Sequence, residues 1–195
     1  MSRFDNRSRV STYTQSWVGG EPDFGAFESI ATTTLNTTTS TITFSSISQT
    51  YKHLQLRISG RTDRATAGDA IRIQFNSDTT SANYRSHMLY GDGASALSVN
   101  LGNTAGITSY AISAASAGAN IFGVMVIDFL DYGNANKYKT VRSLSGFDVN
   151  GSGGECHFGS GVWMSSSAIT SLIIIPNVGT NFVQYSSFAL YGIKG

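Results

Sequence analysis

The sequence IFGVMVIDFLDYGNANKYKTVRSLSGF, residues 121–147, decides the fold of this chain. Residues 121–130 form an apolar run rich in β-branched and aromatic side chains, and no helix cap precedes it, so we predict a buried β-strand. Turn-forming residues follow at 131–136. Two strands around a short Gly/Asn turn predict a β-hairpin, which we expect at the centre of a sheet. The second strand, 137–147, alternates between one face with Tyr138, Thr140, Arg142 and Leu144 and another with Lys139, Val141, Ser143 and Ser145.

Short strand patterns separated by turn residues recur along the rest of the chain. Apolar and polar residues alternate most clearly at 52–60 and 70–76, which indicates strands with one buried face. Residues 94–120 are less regular and fit either one or two short strands or a long surface loop. Roughly nine to eleven strands and no convincing helix predict an all-β chain, a single antiparallel β-sandwich. The other predicted strands are 27–35, 40–44, 84–91, 155–164, 169–175 and 182–193.

The composition favours a folded β protein that faces other proteins. Hydrophobic residues make up 41% of the chain and charged residues only 13%, and there are 21 Gly but 2 Pro. The 11 Phe, 9 Tyr and 2 Trp are spread along the whole chain and supply core material, which argues against low-complexity disorder. Low charge with abundant Ser, Thr and Gly is typical of β proteins whose surfaces contact other proteins.

Charge and hydropathy also exclude several classes of partner. The net charge is +1 and no run of Lys or Arg exists, so we expect no nucleic-acid partner. No apolar run approaches the length of a membrane span, and the N-terminus lacks the apolar core of a signal peptide, so no membrane association is expected. The one Cys cannot form an internal disulfide, which fits folding in a reducing cytoplasm.

The first 23 residues differ from the rest of the chain. They are polar, lack strand or helix periodicity, and end in the breaker cluster VGGEPD at 18–23. We expect residues 1–23 to be an extended N-terminal arm that docks to a partner, and residues 24–195 to be the β-sandwich domain. A tail without contacts is the alternative. The side chains expected to contact the partner are Phe4, Arg7, Arg9, Tyr13 and Trp17.

The sequence contains few residues with catalytic potential, and none in a recognisable catalytic spacing. Cys156 and His157 are neighbours on a predicted strand and therefore point to opposite faces, so they cannot form a nucleophilic pair. Cys156 is expected to be a small core residue. His53 and His87 stand alone in predicted strands, and no metal-ligand spacing is present. We therefore expect no catalytic residue, no metal and no cofactor.

Two carboxylates flank the turn of the central hairpin, and paired carboxylates are a feature of glycosidases. A structural role is the favoured interpretation for both. Asp131 begins a turn, whereas Asp128 is expected to satisfy backbone donors or to pair with Arg142.

Several stretches together resemble a family of small virion structural proteins of tailed bacteriophages. They are FESIA at 27–31, ITFSSI at 42–47, QTYKHLQLR at 49–57, LYGDG at 89–93, NKYKTVRSLSG at 136–146 and QYSSFALYGIKG at 184–195. The resemblance covers about residues 27–195 and leaves the arm outside. It implies a jelly-roll-like β-sandwich in a virion, placed either as a capsid decoration or in a tail, baseplate or fibre assembly.

The expected function is therefore that of a non-enzymatic bacteriophage structural protein, made in the host cytoplasm and incorporated into the virion. Its expected partners are other capsid or tail proteins and further copies of itself, most simply as a trimer. The alternative is a receptor-binding module of a tail fibre or tail tip that recognises host cell-surface carbohydrate. Aromatic side chains that could stack on a glycan, or lie in an interface or the core, are Tyr84, Tyr90, Tyr132 and Trp163.

Overall fold

Twelve β-strands and one short 3₁₀ turn form the described part of the computed structural model, residues 26–149 and 153–195. Two of these strands lie within 94–120, so the number of strands is one above the predicted range of nine to eleven. In chain order the strands are β1 (Phe27–Thr34), β2 (Ile42–Phe44), β3 (His53–Gly60), β4 (Gly68–Phe75), β5 (Tyr84–Gly91), β6 (Ala96–Asn100), β7 (Ile107–Ser113), β8 (Gly123–Leu130), β9 (Lys139–Asp148), β10 (Gly154–Trp163), β11 (Leu172–Pro176) and β12 (Ser187–Ile193).

The strands form two sheets that pack face to face, so the predicted all-β antiparallel sandwich is confirmed. The large sheet has eight strands in the order β1-β12-β3-β8-β9-β10-β5-β6, and the small sheet has four in the order β2-β11-β4-β7. Every neighbouring pair is antiparallel. The hairpin β8–β9 occupies the fourth and fifth positions of the large sheet, which confirms its predicted central place.

The order in which the strands pair is that of a jelly roll. In the small sheet β2 pairs with β11 and β4 pairs with β7, whereas in the large sheet β3 pairs with β8 and β5 pairs with β6. These four nested pairs alternate between the two sheets, as expected when a long antiparallel hairpin is rolled into a sandwich. Strands β9 and β10 are inserted between β8 and β5, and β12 and β1 extend the opposite edge, which makes the large sheet twice as wide as the small one.

The hydrophobic core lies between the two sheets and is rich in aromatic rings. Phe75 on β4 contacts three of them, with centroid separations of 6.0 Å to Tyr84, 5.7 Å to Phe129 and 5.4 Å to Trp163. Inward-facing Leu and Ile side chains of β3, β4, β8 and β11 fill the space around these rings. The alternation that predicted one buried face at 52–60 and 70–76 therefore matches the sides of β3 and β4 that face the core.

Small residues let β7 approach the large sheet closely. A Cβ on Gly123 of β8 would lie 2.6 Å from the Ser113 nitrogen and 2.7 Å from the Ile112 Cα, so this position has no room for a side chain. On β9 the buried Ser143 hydroxyl accepts a hydrogen bond of 2.9 Å from the Ser109 hydroxyl of β7. Hydrogen-bonded serines replace apolar packing here because the backbones are too close for larger side chains.

Strand β8 differs from its prediction in one respect. The apolar run at 121–130 predicts a strand buried on both faces, yet Val124, Val126 and Leu130 are exposed and only the alternate residues are buried. The reason is that the described residues form no second layer over the outer face of the large sheet. In the described part of the chain, no helix is long and apolar enough to cross a membrane.

Candidate partner-binding surface

Four apolar side chains form a continuous row across the outer face of the large sheet. Val126, Leu144, Phe158 and Leu89 occupy directly paired positions on β8, β9, β10 and β5. Their residues are 37, 58, 51 and 55% exposed, respectively. Since neighbouring strands lie about 4.8 Å apart, this apolar row is about 14 Å long. Single exposed apolar residues are ordinary, whereas a row of adjacent ones marks an interaction surface.

A polar row runs beside the apolar row, two residues further along each strand. It consists of Asp128, Arg142, Ser160 and His87, again in paired positions. The Arg142 guanidinium donates to Asp128 Oδ2 from two nitrogens, at 2.7 and 3.2 Å, so the predicted pairing of these residues is confirmed. Asp128 Oδ1 also accepts a 2.9 Å hydrogen bond from the Gln55 amide. The charges of this row are therefore neutralised within the chain.

On the other side of the apolar row, the side chains are short or absent. Val124, Gly146, Cys156 and Gly91 occupy the paired positions of this small-residue row. The row is uncharged, and at Gly146 and Gly91 the outer face consists of backbone alone. The side chains on the outer face therefore become shorter from the polar row, through the apolar row, to the small-residue row.

The apolar and polar rows enclose a shallow groove. Its volume is about 300 Å³, and its lining combines the Asp128–Arg142 ion pair with apolar side chains of the row. The lining residues are Val126, Asp128, Arg142, Ser143, Leu144 and Phe158. A groove of this kind accepts a side chain of a partner, because it offers both apolar contact and hydrogen-bonding groups.

The aromatic residues proposed for a glycan or an interface are placed elsewhere. Tyr84, Tyr132 and Trp163 are buried in the core, so the expectation that they form a surface site is wrong for these three, whereas the core alternative holds. Tyr90 is half-buried, and its ring stacks on His157 with centroids 5.0 Å apart. The polar atoms of the three buried side chains, Tyr84, Tyr132 and Trp163, are hydrogen-bonded within the chain, as those of buried tyrosines and tryptophans generally are.

Cys156 and His157 lie on opposite faces of β10, as predicted, but their burial is the reverse of the expected one. Cys156 is exposed in the small-residue row, so the expectation of a core cysteine is wrong. His157 is buried instead, and its Nε2 lies 2.8 Å from Glu155 Oε2. The reason is the register of β10 with its two neighbours, which turns Glu155 and His157 inward together.

Asp131 occupies the start of the hairpin turn, as predicted, and is surrounded by basic groups. Its carboxylate pairs with the Lys52 amine at 3.0 Å and with the Lys137 amine. Hydrogen bonds from Lys137 and Lys52 lower the pKa of Asp131 to about 2, although partial desolvation opposes them. The Asp131 carboxylate is therefore ionised at neutral pH and pairs with lysines at the turn, whereas Asp128 pairs with Arg142 on the outer face.

A second groove lies at the end of the large sheet and has an acidic lining. It has a volume of about 430 Å³ and is lined partly by Asp92, Asp148 and Glu155. In the described ranges, 26–149 and 153–195, no three His, Cys, Asp or Glu side chains converge as a metal site would require. One of these carboxylates is already used within the chain, because Asp92 Oδ1 accepts hydrogen bonds from the backbone amides of Ala94 and Ser95.

The five residues predicted to contact a partner through the arm, Phe4, Arg7, Arg9, Tyr13 and Trp17, lie outside the described residues. The apolar row was missed by sequence reasoning. The sequence does contain a signal of this row. Leu144 shares a strand face with the polar Arg142, and β8 has apolar residues on both of its faces. A strand with two apolar faces is typical of a sheet covered on both sides, and residues 26–149 and 153–195 supply a cover on one side only.

No model of a protein family matches the chain, and no curated protein sequence matches it.

Proposed function

We propose that this chain is a non-enzymatic structural protein of a tailed-bacteriophage virion, an accessory component of the capsid surface or the tail. The strand and turn sequences that resemble such proteins support the proposal, and so does the jelly-roll order of the strands. The observation that carries it is the apolar row, Val126, Leu144, Phe158 and Leu89, which no other described residue covers on the eight-stranded sheet. Such a face suits contact with another protein surface.

The size of this face fits assembly in many copies. Fully burying one such side chain stabilises a complex by roughly 1.5–3 kcal/mol, and half-exposed side chains contribute about half of that. Association costs about 4–15 kcal/mol in lost translational and rotational freedom. One apolar row therefore supports only a weak contact. Proteins of a particle overcome this limit because many weak contacts act together.

The N-terminal arm is the second attachment device in this proposal. Its aromatic and arginine residues, which include Tyr13 and Trp17, suit an extended segment lying in a groove of a neighbouring capsid or tail protein. Ordering such a segment costs about 1–2 kcal/mol per residue, so backbone hydrogen bonds to the partner must accompany the aromatic contacts. The arm and the outer face together would join the chain to the particle and to further copies of itself.

The alternative of a host-glycan receptor has less support from the geometry. Glycan recognition needs exposed aromatic faces on which sugar rings stack, and three of the four aromatic candidates are buried in the core. Tyr90, the fourth, has one ring face against His157.

The proposal is tested on purified particles of the phage that encodes the chain. Mass spectrometry of gradient-purified virions is expected to detect the chain at a constant ratio to the major capsid protein, and cryo-electron microscopy is expected to show its position and copy number. Washing the particles with a competing full-length chain that carries an affinity tag controls for adsorption. Absence of the chain from washed virions contradicts the proposal.

A further inference from the structure

We propose that the outer face of the large sheet binds the same face of a second copy of this chain, about a twofold axis parallel to the apolar row. The inference names the partner of the surface on which the proposed function rests. It is argued from the arrangement of the three rows, and it holds for the isolated protein as well as for a particle.

The charges on this face favour an identical partner. The charged pair of the polar row is Asp128 and Arg142, and their side chains already bond to each other at 2.7 Å. A strongly acidic or basic partner would find no unpaired charge of the opposite sign in the groove, and would leave its own charge uncompensated. A copy of the same face brings apolar side chains and an equally neutral polar row, so no charge is left unpaired at the centre of the contact.

The shape of the face is complementary to itself. In each strand the apolar residue lies midway between a polar residue and a residue of the small-residue row, as in Arg142–Leu144–Gly146 on β9 and His87–Leu89–Gly91 on β5. Rotation about an axis along the apolar row exchanges the two flanking rows. The row of one copy then lies on the row of the other, Arg142 lies above Gly146, and His87 lies above Gly91.

This exchange solves the main steric problem of packing two sheets. Sheets in face-to-face contact lie about 10 Å apart, a distance that interdigitated side chains fill and that two facing long side chains would exceed. Because the two longest side chains of the polar row, Arg142 and His87, face glycines of the other copy, the apolar rows can meet. Leu144 and Phe158 of both copies then leave water together, which doubles the apolar area that one row contributes.

Cys156 provides a reporter within the proposed contact. It is the one cysteine of the chain, it is exposed, and it lies in the small-residue row beside Gly146 and Gly91. In the proposed pair it is covered by Ser160 of the other copy. Its thiol is therefore expected to react with a disulfide reagent several-fold more slowly when the protein is concentrated than when it is dilute.

The test uses the full chain and two charge substitutions of matched exposure. Leu144 and Val178 are 58 and 59% exposed, but only Leu144 lies on the outer face, so Leu144→Asp tests the contact and Val178→Asp is its control. Sedimentation equilibrium is expected to give twice the chain mass for the unmodified protein and for Val178→Asp. Leu144→Asp is expected to weaken the association at least tenfold, because it places two carboxylates at the centre of the pair.

Several results would overturn the inference. A monomer at all concentrations, a mass of three chains, or a dimer that Leu144→Asp leaves unchanged each contradicts a twofold contact through this face. If Leu144→Asp does not fold, the Cys156 reaction rate of the unmodified chain decides, and a rate independent of concentration overturns the inference. These measurements need no virions, so their failure is distinct from absence of the chain from particles.

Discussion

The indole of Trp163 donates its Nε1–H to Asp78 Oδ2 across 2.8 Å and thereby joins the core of the sandwich to a loop of its surface. The same carboxylate accepts hydrogen bonds of 2.8 Å from the Asn83 amide and from the Thr80 backbone nitrogen. The Tyr84 hydroxyl donates to the Asp78 carbonyl oxygen at 2.9 Å. Asp78 therefore satisfies the polar atoms of two of the four aromatic residues that the sequence suggested for the surface, Tyr84 and Trp163.

Replacing Asp78 by Asn is expected to destabilise the fold by about 1–3 kcal/mol, because an amide cannot accept at both of its terminal atoms and leaves a buried donor unsatisfied. Urea unfolding at neutral pH measures the loss. The control is Asp148→Asn on the exposed end of β9, which is expected to change stability by less than about 0.5 kcal/mol. Equal effects of the two substitutions would show that the Asp78 hydrogen bonds contribute nothing.

The same carboxylate predicts a particular dependence of stability on pH. Burial raises the pKa of Asp78, but hydrogen bonds from Trp163, Asn83 and Thr80 outweigh it and lower the pKa from 3.8 to about 2. A carboxyl group with a lower pKa in the folded state stabilises the fold above its unfolded pKa, and the stabilisation is lost as the pH falls through the folded value. The free energy of unfolding is expected to decline between pH 4 and pH 2 less steeply in Asp78→Asn than in the unmodified chain.

Gly123 is predicted to tolerate no side chain. An added Cβ meets backbone atoms of Ser113 and Ile112 at 2.6 and 2.7 Å, and backbone cannot move aside as a flexible side chain can. Gly123→Ala is therefore expected to cost about 1–3 kcal/mol, the usual cost of overpacking. At Gly91 an added Cβ comes no closer than 3.7 Å to another atom of the chain, so Gly91→Ala is the matched control and is expected to be nearly neutral at dilutions where the chain is unpaired. Thermal unfolding of both variants gives the comparison, and equal midpoints would contradict it.

Lys139 is buried and its amine has three carbonyl partners. The Nζ donates to the carbonyl oxygens of Asn134 at 2.6 Å, Lys137 at 2.9 Å and Ser166 at 3.1 Å. Burial lowers the pKa of this amine below its ordinary value, and the charge of Lys137 adds to the effect. Lys139→Met keeps the volume but leaves the three carbonyl groups without this donor.

We therefore expect Lys139→Met to destabilise the fold by roughly 1–3 kcal/mol, measured by urea unfolding. Lys52→Met is the control, because the Lys52 amine is exposed and pairs with Asp131 at 3.0 Å, a type of contact worth about 0–1 kcal/mol. A Lys139→Met variant as stable as the control would show that water replaces the amine at no cost.

Removing residues 1–18 is expected to leave the sandwich folded and to abolish its incorporation into particles. Within the described residues the strand pairs begin at Phe27, so the deletion removes none of these pairs. Circular dichroism and the unfolding midpoint of the truncated chain measure folding, and co-purification with virions measures incorporation. Incorporation at the level of the full chain would mean that the folded domain makes the attachment without the arm.

Local patterns were sufficient to predict the central hairpin and most other strands, but they did not decide between strands and a loop for 94–120 and placed the start of β12 five residues too early. The alternation correctly groups Lys139, Val141, Ser143 and Ser145, which share the inward face of β9, because side chains of a strand alternate whatever its neighbours are. Even the polar Lys139 follows this rule, although its burial depends on the turn carbonyls that it meets.

Long-range register explains what the sequence alone did not predict. The face on which Cys156 lies is decided by the pairing of β10 with β9 and β5, and nothing within the strand indicates it. The outer apolar row was missed for a related reason. The apolar residues of β8 fit a strand covered on both sides, and the widths of the two sheets follow from topology that no local pattern reports. The role of the arm remains a prediction.

Strand β12 lies between β1 and β3 in the large sheet, and this position affects the order in which the strands can pair during synthesis. The Thr34 and Ser187 hydroxyls that meet across β1 and β12 at 3.2 Å are 153 positions apart in the sequence. A ribosome therefore releases β1 long before it has made the strand on which β1 depends. Pairings of such high contact order form late and slowly. Until β12 arrives, the edge of β3 stays open, so a nascent chain remains an incomplete building block and a fragment ending before β12 cannot close the large sheet.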